Sequence, residues 1–500
     1  MAKRVVVVGS GFGGLGIACL MAKAGYEVEV YEKNESFGGR ASVLRANGYT
    51  FDMGPSWYLM PDVFADFFTL LGERVEDHLD LVKLQPSYRI FFKDKQTAID
   101  LYSDIDKDAA AFEKIEPGSG EVLKEYLKRS AYQYDVAKKR FLYKNYDSIL
   151  DFLNLETLIE GRKLSVFANM QAYVQSFFKS EMIQKIMQYT LVFLGSSPYN
   201  TPALYNIMSH IDFSMGVFYP RGGITKIVEA LVQIAKKHGA RLRANAPVER
   251  ILTTNGVATG IQLASGEVIQ ADIVISNADI HHTETALLSE KDRDHSESYW
   301  KKRTLAPSAF MMYLGIDGRI PDLTHHTLIF AQDWKKGFGE IFDTPIWPKD
   351  PSIYVCAPSV TDPTVAPEGK ENVFILVPIA PNLSYSQADL ESFGEKILET
   401  MEREMHIPNL RKRVEYKSYF CVKDFSERYN SFGGSALGLA HTLRQTAVFR
   451  PNNISKKVKN LYYVGADTNP GIGMPICLIS AELAYKRVIQ DRSSSHLSSM

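Results

Sequence analysis

Val5-Val6-Val7-Val8-Gly9-Ser10-Gly11-Phe12-Gly13-Gly14 is the stretch that decides the fold. Four consecutive valines read as a strand covered on both faces, because a half-exposed strand would alternate with polar residues. Gly9, Gly11 and Gly14 complete G-x-G-x-x-G, with Gly13 inside it. Gly9 permits the tight turn, Gly11 lets backbone approach a pyrophosphate, and Gly14 lets the next helix lie close to the strand. That helix is expected from about Gly13 to Lys23, where Leu15, Ala18, Cys19 and Ala22 recur at helical spacing, and Gly25 ends it. Its first amides and its dipole would face phosphate, beside Ser10. Tyr26 to Tyr31 alternates as a second strand and Glu32 closes it, followed by Lys33. A carboxylate there accepts from ribose hydroxyls and disfavours a 2′-phosphate.

Further motifs reach the same ligand. Gly38-Gly39-Arg40 adds amides and a guanidinium to the pyrophosphate, and Phe51-Asp52-Met53-Gly54-Pro55-Ser56 follows closely. At the far end, Leu461-Tyr462-Tyr463-Val464-Gly465-Ala466-Asp467 reads as strand and turn. Gly471-Ile472-Gly473-Met474-Pro475 then opens a helix whose positive end would stabilise negative charge on a reduced ring, while Asp467 would bond ribitol or a phosphate-bridging water. A ligand held from both ends of the chain fits FAD better than NAD. No second G-x-G-x-x-G marks a separate NAD site.

Size and composition are those of an ordinary globular protein: 500 residues, 45% hydrophobic, 23% charged and a net charge of −1. This balance gives no case for nucleic-acid binding. Cys19, Cys356, Cys421 and Cys477 are scattered, so neither a disulfide framework nor a zinc site follows, and a reducing compartment is expected. The histidine pairs His281-His282 and His325-His326 read as poor metal ligands, because neighbouring side chains diverge on a strand. No metal is therefore expected, and no catalytic residue is assigned. The N-terminal apolar run is too short for a signal peptide, and no stretch is long enough to span a membrane.

The middle of the chain reads as two insertions in a discontinuous dinucleotide domain. That domain takes residues 1–75, 218–305 and 441–492. A largely helical region over 76–217 rests on Phe167, Met170, Val174, Phe177, Phe178, Met182, Ile186 and Met187. An antiparallel sheet over 306–440 rests on the runs Phe310–Gly315 and Val373–Pro378. Residues 493–500 are expected to be disordered. Tyr132, Tyr134, Lys138, Lys139, Arg140, Phe141, Tyr143, Lys144 and Tyr146 interleave basic and aromatic groups, the pattern of a membrane-surface segment or of a solvated helix face.

The early motifs, with Tyr219-Pro220-Arg221-Gly222-Gly223, Ser276-Asn277-Ala278-Asp279, Leu323-Thr324-His325-His326-Thr327, Ala357-Pro358-Ser359-Val360-Thr361-Asp362 and Phe449-Arg450-Pro451, resemble bacterial-type phytoene desaturases of the flavin amine oxidase superfamily. The resemblance covers nearly the whole chain. It implies an α/β fold: a Rossmann-like FAD-binding domain (GR2-type), a mixed-sheet substrate domain and a helical insertion. It implies FAD as cofactor and backbone contact from Val248 to the adenine. The implied reaction is dehydrogenation of phytoene or a related carotenoid, hydride passing to the flavin and a proton to a base or to water. A diapophytoene desaturase, a carotenoid 3,4-desaturase and a carotenoid isomerase are nearby alternatives. A flavin amine oxidase or a non-catalytic flavin-bound scaffold is more remote. A cytoplasmic protein held peripherally at the inner face of the cell membrane is expected. The sequence departs from the family pattern at Asp467 and Asn469, where many relatives carry a small residue and a histidine.

Overall fold

The computed structural model describes residues 2–93, 95, 97–148 and 168–500. The four valines form the central strand, Arg4–Val8, of a five-stranded parallel sheet. It pairs with Glu27–Tyr31 on one side and Ile273–Ser276 on the other, and the sheet ends in Arg241–Arg243 and Leu461–Tyr463. Helix Phe12–Lys23 is buried along almost its whole length. It packs between helices Thr225–Lys237 and Met474–Ile489, which explains its lack of a polar face. The opposite face of the sheet is covered by the antiparallel meander Val248–Thr254, Val257–Leu263 and Val268–Gln270, through Val6, Val8, Ile251, Ile261 and Val274. Strands far apart in sequence thus lie side by side, and the strand C-termini face one crevice.

The second sheet has seven strands, in the order Val414–Phe420, Ser308–Ile316, Glu371–Ile379, Ile353–Cys356, His326–Phe330, Tyr88–Phe92 and Thr97–Leu101. All pairings are antiparallel except that of Tyr88–Phe92 with His326–Phe330. Strand Ser308–Ile316 is buried on both faces. Phe310, Met312 and Leu314 meet helix Gln387–Glu404, while Ala309, Met311 and Tyr313 face a core shared with helices Ile105–Ile115 and Ser119–Ala137.

Two features differ from the sequence reading. Within 76–217, Leu81–Lys83, Tyr88–Phe92 and Thr97–Leu101 are strands that the sequence reading does not place, and the last two extend the second sheet. Tyr88, Ile90 and Phe92 alternate with Arg89 and Phe91, a period of two that the helical spacing farther along overshadowed. Of those helical positions, Met170 and Val174 lie in Met170–Gln175, and Met182 and Ile186 in Glu181–Ile186; Phe167 lies outside the described residues. The tail is pinned rather than disordered. Buried Lys486 donates to the Ser495 carbonyl, and Glu482 accepts from the Leu497 amide and bonds His496 at 2.7 Å each. A buried lysine and glutamate one helical turn apart require such partners.

Candidate functional site

A single cavity of about 1060 Å³ joins the two sheets. Typical small-molecule sites span roughly 300–1,000 Å³, so this one exceeds the upper end. One part is lined by Gly9, Ser10, Gly11, Gly13, Glu32, Lys33, Gly39, Arg40, Gly54, Pro55, Ser56, Val248, Gly465, Asp467 and Met474. Every sequence-predicted site residue except Gly14 therefore faces one space. Gly14 lies beneath it: a Cβ there would stand 2.1 Å from the Gly9 carbonyl oxygen, which is how closely helix Phe12–Lys23 approaches its strand.

The glycines crowd around Asn277, the residue that follows the strand Ile273–Ser276. A Cβ on Gly11 or Gly13 would come within 2.8 Å or 2.7 Å of its amide group, and one on Gly465 within 2.9 Å. The two ends of the chain thus meet over one side chain. Sequence reading quoted Asn277 only as part of a motif; its position directly after a buried strand was the available signal.

Several groups are oriented for a dinucleotide. Glu32 is buried, and its carboxylate accepts from the Ser10 amide at 2.9 Å, the Ser10 hydroxyl at 2.8 Å and the Asn34 amide at 3.0 Å. These bonds hold it fixed at the cavity wall. Gly38 and Gly39 are left-handed, with φ of 109° and 58°, which turns the chain so that Gly38 bridges to Gly11. Arg40 donates to Ser431 Oγ at 2.9 Å and lies over the Tyr429 ring, but its buried Nε has no partner. A buried guanidinium N–H without an acceptor, beside a cradle that any Cβ would fill, fits a pyrophosphate. Lys33 reaches away from Glu32, donating to Asn430 and to the Glu427 carbonyl.

The C-terminal turn is supported from beneath. Fully buried Arg450 donates to the carbonyls of Leu439, Gln445, Ala466 and Thr468. Asp467 accepts from the Leu439 amide at 3.0 Å. Asp279 lies close enough to feel it: burial first, and then the Asp467 charge, push the Asp279 carboxyl well above the ordinary carboxylate range. Asp467 thus serves this local network. His441 accepts from the Ile472 amide at Nε2, so its Nδ1–H donates to Tyr205 Oη at 2.7 Å. Burial holds this ring well below the usual histidine range, and it stays neutral. Helix Met474–Ile489 begins just beyond, with Met474 at its first turn.

The rest of the cavity is aromatic and apolar. Trp57, Tyr189, Phe193, Phe330, Trp334 and Phe338 line it. Trp57 packs against Tyr88, Tyr189 and Phe193. Behind Tyr189, fully buried Asp212 accepts from Tyr88 at 2.6 Å and Tyr189 at 2.9 Å. Burial raises this carboxyl to about 7. A raised folded value means that the folded chain keeps a proton that the unfolded chain has lost. Stability from this group therefore falls as pH rises from the ordinary 3.8 towards about 7. The variant Asp212→Asn is expected to gain stability relative to the parent across that window, at up to about 1.4 kcal/mol per pH unit. Paired urea titrations at pH 5 and pH 7.5 check this; an unchanged difference contradicts it.

The basic and aromatic stretch is divided: Tyr132, Lys139 and Arg140 are exposed, and the others are buried or partly buried. Lys138 pairs with Asp62 and Asp66 at 2.5 and 2.7 Å, and Lys139 with Asp135 at 3.0 Å. Tyr134 and Tyr143 are buried, while Phe141, Lys144 and Tyr146 line the cavity. Up to Leu142 the stretch is a helix with one face against the core and one face to solvent. No helix among the described residues is long and apolar enough to cross a membrane.

Comparison with known proteins agrees with this geometry. The family model for flavin containing amine oxidoreductase matches residues 12–489. A carotenoid 3,4-desaturase of Haloarcula japonica is 46% identical over 98% of both chains. A zeta-carotene-forming phytoene desaturase of Myxococcus xanthus is 36% identical over 97% of this chain and 94% of its own. Among solved structures, an oxidoreductase from Methanosarcina mazei superposes with a TM-score of 0.64 at 19% identity, covering 97% of this chain and 100% of that one. At that identity the likeness bears on the fold alone.

Proposed function

This chain belongs to the flavin-containing amine oxidoreductase family and is an FAD-dependent oxidoreductase of the carotenoid desaturase type, and on that premise we propose that it introduces conjugated double bonds into a long acyclic carotenoid. The observation that carries the reading is the continuity of the dinucleotide cradle with a chamber walled by Trp57, Tyr189, Phe193, Phe330, Trp334 and Phe338. A hydrocarbon offers no polar handle. Its binding rests on burial, about 25 cal/mol per Å² of apolar surface, and on the shape of the walls.

FAD, when bound, supplies the acceptor for a hydride leaving carbon. The chain supplies the rest. Glu32 takes the ribose hydroxyls, Gly11, Gly13 and Arg40 the pyrophosphate, and the Pro247–Val248 backbone the adenine. The Gly465 turn and the start of helix Met474–Ile489 hold the ring, with His441 and Arg450 fixing that turn. The aromatic walls exclude water and hold the polyene in one register, and such orientation lowers a barrier without a polar contact.

Two regiochemistries follow from the relatives. The 46% identity to a carotenoid 3,4-desaturase favours dehydrogenation near the end of an already conjugated chain. The 36% identity to a phytoene-acting relative favours phytoene itself. FAD-loaded protein given phytoene or lycopene in liposomes, followed by chromatography of the pigments, tests both. A longer chromophore from lycopene alone supports the 3,4 reading, and coloured product from phytoene supports the second. Only cis–trans change, or peroxide released from amines, overturns desaturation.

Such a substrate resides in lipid, so we place the protein at the cytoplasmic membrane surface. Leu443 and Phe449 line the cavity while remaining 50% and 51% exposed, with Arg444 beside them. This rim would enter the lipid headgroup layer. The double variant Leu443→Ser, Phe449→Ser is expected to lose at least half of its sedimentation with anionic vesicles while keeping its flavin. Unchanged sedimentation contradicts this placement.

A further inference from the structure

His325, His326 and Cys356 form a group that the flavin site does not use. All three are buried, and a nitrogen of each ring and the Cys356 sulfur lie within 4.8 Å of one another. The expectation that adjacent histidines diverge fails here for a local reason. His326 is the first residue of its strand, whereas His325 precedes it and escapes the alternation. The two rings lie 4.5 Å apart. His326 and Cys356 are register partners on neighbouring antiparallel strands, so their side chains stand on the same face.

Each ring is anchored at one nitrogen and free at the other. His325 Nδ1 bonds the Thr361 hydroxyl at 2.8 Å, and His326 Nδ1 bonds the Tyr354 hydroxyl at 2.8 Å. The Nε2 atoms of both are buried without a partner. Trp57 stacks on His326 at 4.3 Å and 6° between planes, fixing that ring further. Imidazoles held at one nitrogen by a hydrogen bond, with the other open, are oriented as metal ligands are. A buried polar atom left unpaired otherwise carries only cost.

We propose that His325, His326 and Cys356 bind a single monovalent copper ion behind the cavity wall. Two imidazoles and one thiolate form a soft, three-membered N₂S set. Binding forms three metal–ligand bonds and releases one proton, from the Cys356 thiol, to solvent; no electron is transferred. The thiolate and the monovalent ion cancel in charge, which suits a buried site. Zinc would keep a positive charge and lack a fourth ligand. Nearby carboxylates are already engaged: Asp362 accepts from Gly222 and Thr364, and Asp52 from Ile224 and Thr225. The ion would tie together the strands His326–Phe330 and Ile353–Cys356 beneath Trp57 and Tyr354, which line the cavity.

The test is anaerobic competition between the FAD-loaded full chain and bicinchoninate for Cu⁺, with X-ray absorption at the copper edge. One equivalent per chain, coordinated by one sulfur and two nitrogens, is expected. Cys356→Ser is expected to abolish binding, and Tyr354→Phe to weaken it roughly 10- to 100-fold by releasing the His326 ring. Flavin content and melting temperature report whether each variant is folded. The proposal is overturned if the parent chain takes no copper from the chelator, if its copper shows another ligand set, or if folded Cys356→Ser binds as much. Zn²⁺ retained in preference to Cu⁺ under the same competition also overturns it. If Cys356→Ser does not fold, the ligand set of the parent chain decides.

Discussion

Gly14→Ala is expected to yield a chain that no longer retains FAD. The added Cβ would stand 2.1 Å from the Gly9 carbonyl oxygen, well inside van der Waals contact, and 3.1 Å from the Asn277 Cβ. The first neighbour is backbone, so no rotamer change relieves it. Either the helix Phe12–Lys23 moves off its strand or the Gly9 turn opens. Overpacking a well-filled site costs about 1–3 kcal/mol, and a rigid backbone neighbour places this case at or above the upper end. Both responses displace the amides at the cavity wall. Because Gly13 and Gly465 meet over Asn277, the disturbance passes to the C-terminal turn. At 1.4 kcal/mol per tenfold, loss of FAD affinity by more than about 100-fold is expected, with a lowered melting temperature. Gly25→Ala is the matched control: Gly25 has a φ of 85° but no atom within 4 Å of an added Cβ, so it tests backbone strain without the clash. Fluorescence titration of FAD onto both variants separates the two effects.

Arg40→Met is expected to be the most damaging change of a side chain toward the cofactor. Arg40 brings a buried, unpartnered Nε and a guanidinium held by Ser431 beside the glycine cradle. Truncating one partner of a desolvated, hydrogen-bonded charge pair costs about 2–5 kcal/mol, or roughly 30- to 5,000-fold in affinity. Arg40→Lys keeps the charge and loses the planar fork, so it should fall between the parent and Arg40→Met. The apo chain should change little in stability, because Arg40 is only partly buried and its hydrogen bonds, to the Ser431 hydroxyl and the Ser435 carbonyl, lie at the site. An Arg40→Met protein that binds FAD like its parent would remove the guanidinium from the pyrophosphate clamp.

The parts legible in the sequence were those in which one residue type serves one backbone need. Gly9 must adopt a φ of 88°, Gly14 must lack a Cβ, and four valines must be covered twice. Their order along the chain stated the strand, turn and helix directly. Strand Ser308–Ile316 was legible for the same reason, as an apolar run of strand length. Other features depend on partners remote in sequence. Tyr88–Phe92 alternates as a strand locally, but its place beside His326–Phe330 is a pairing no local pattern discloses. Arg450 is buried because four carbonyls of the C-terminal turn converge on it. The basic and aromatic stretch reads from sequence as a membrane-surface segment or a solvated helix face, and the pairing of Lys138 with Asp62 and Asp66, far earlier in the chain, is not visible there. His325 and His326 were dismissed by a rule that holds within a strand, and His325 lies one residue outside it.

The most direct measurement is the FAD content of the purified chain and of two variants altered at opposite ends, Gly14→Ala and Gly465→Val. Gly465 has a φ of 110°, and a side chain there would meet Asn277 at 2.9 Å. The parent is expected to hold one FAD per chain, and both variants, folded by circular dichroism, to lose it. A parent chain that binds no FAD, or a Gly465→Val variant that binds it as tightly as the parent, would contradict a site built from both ends of the polypeptide.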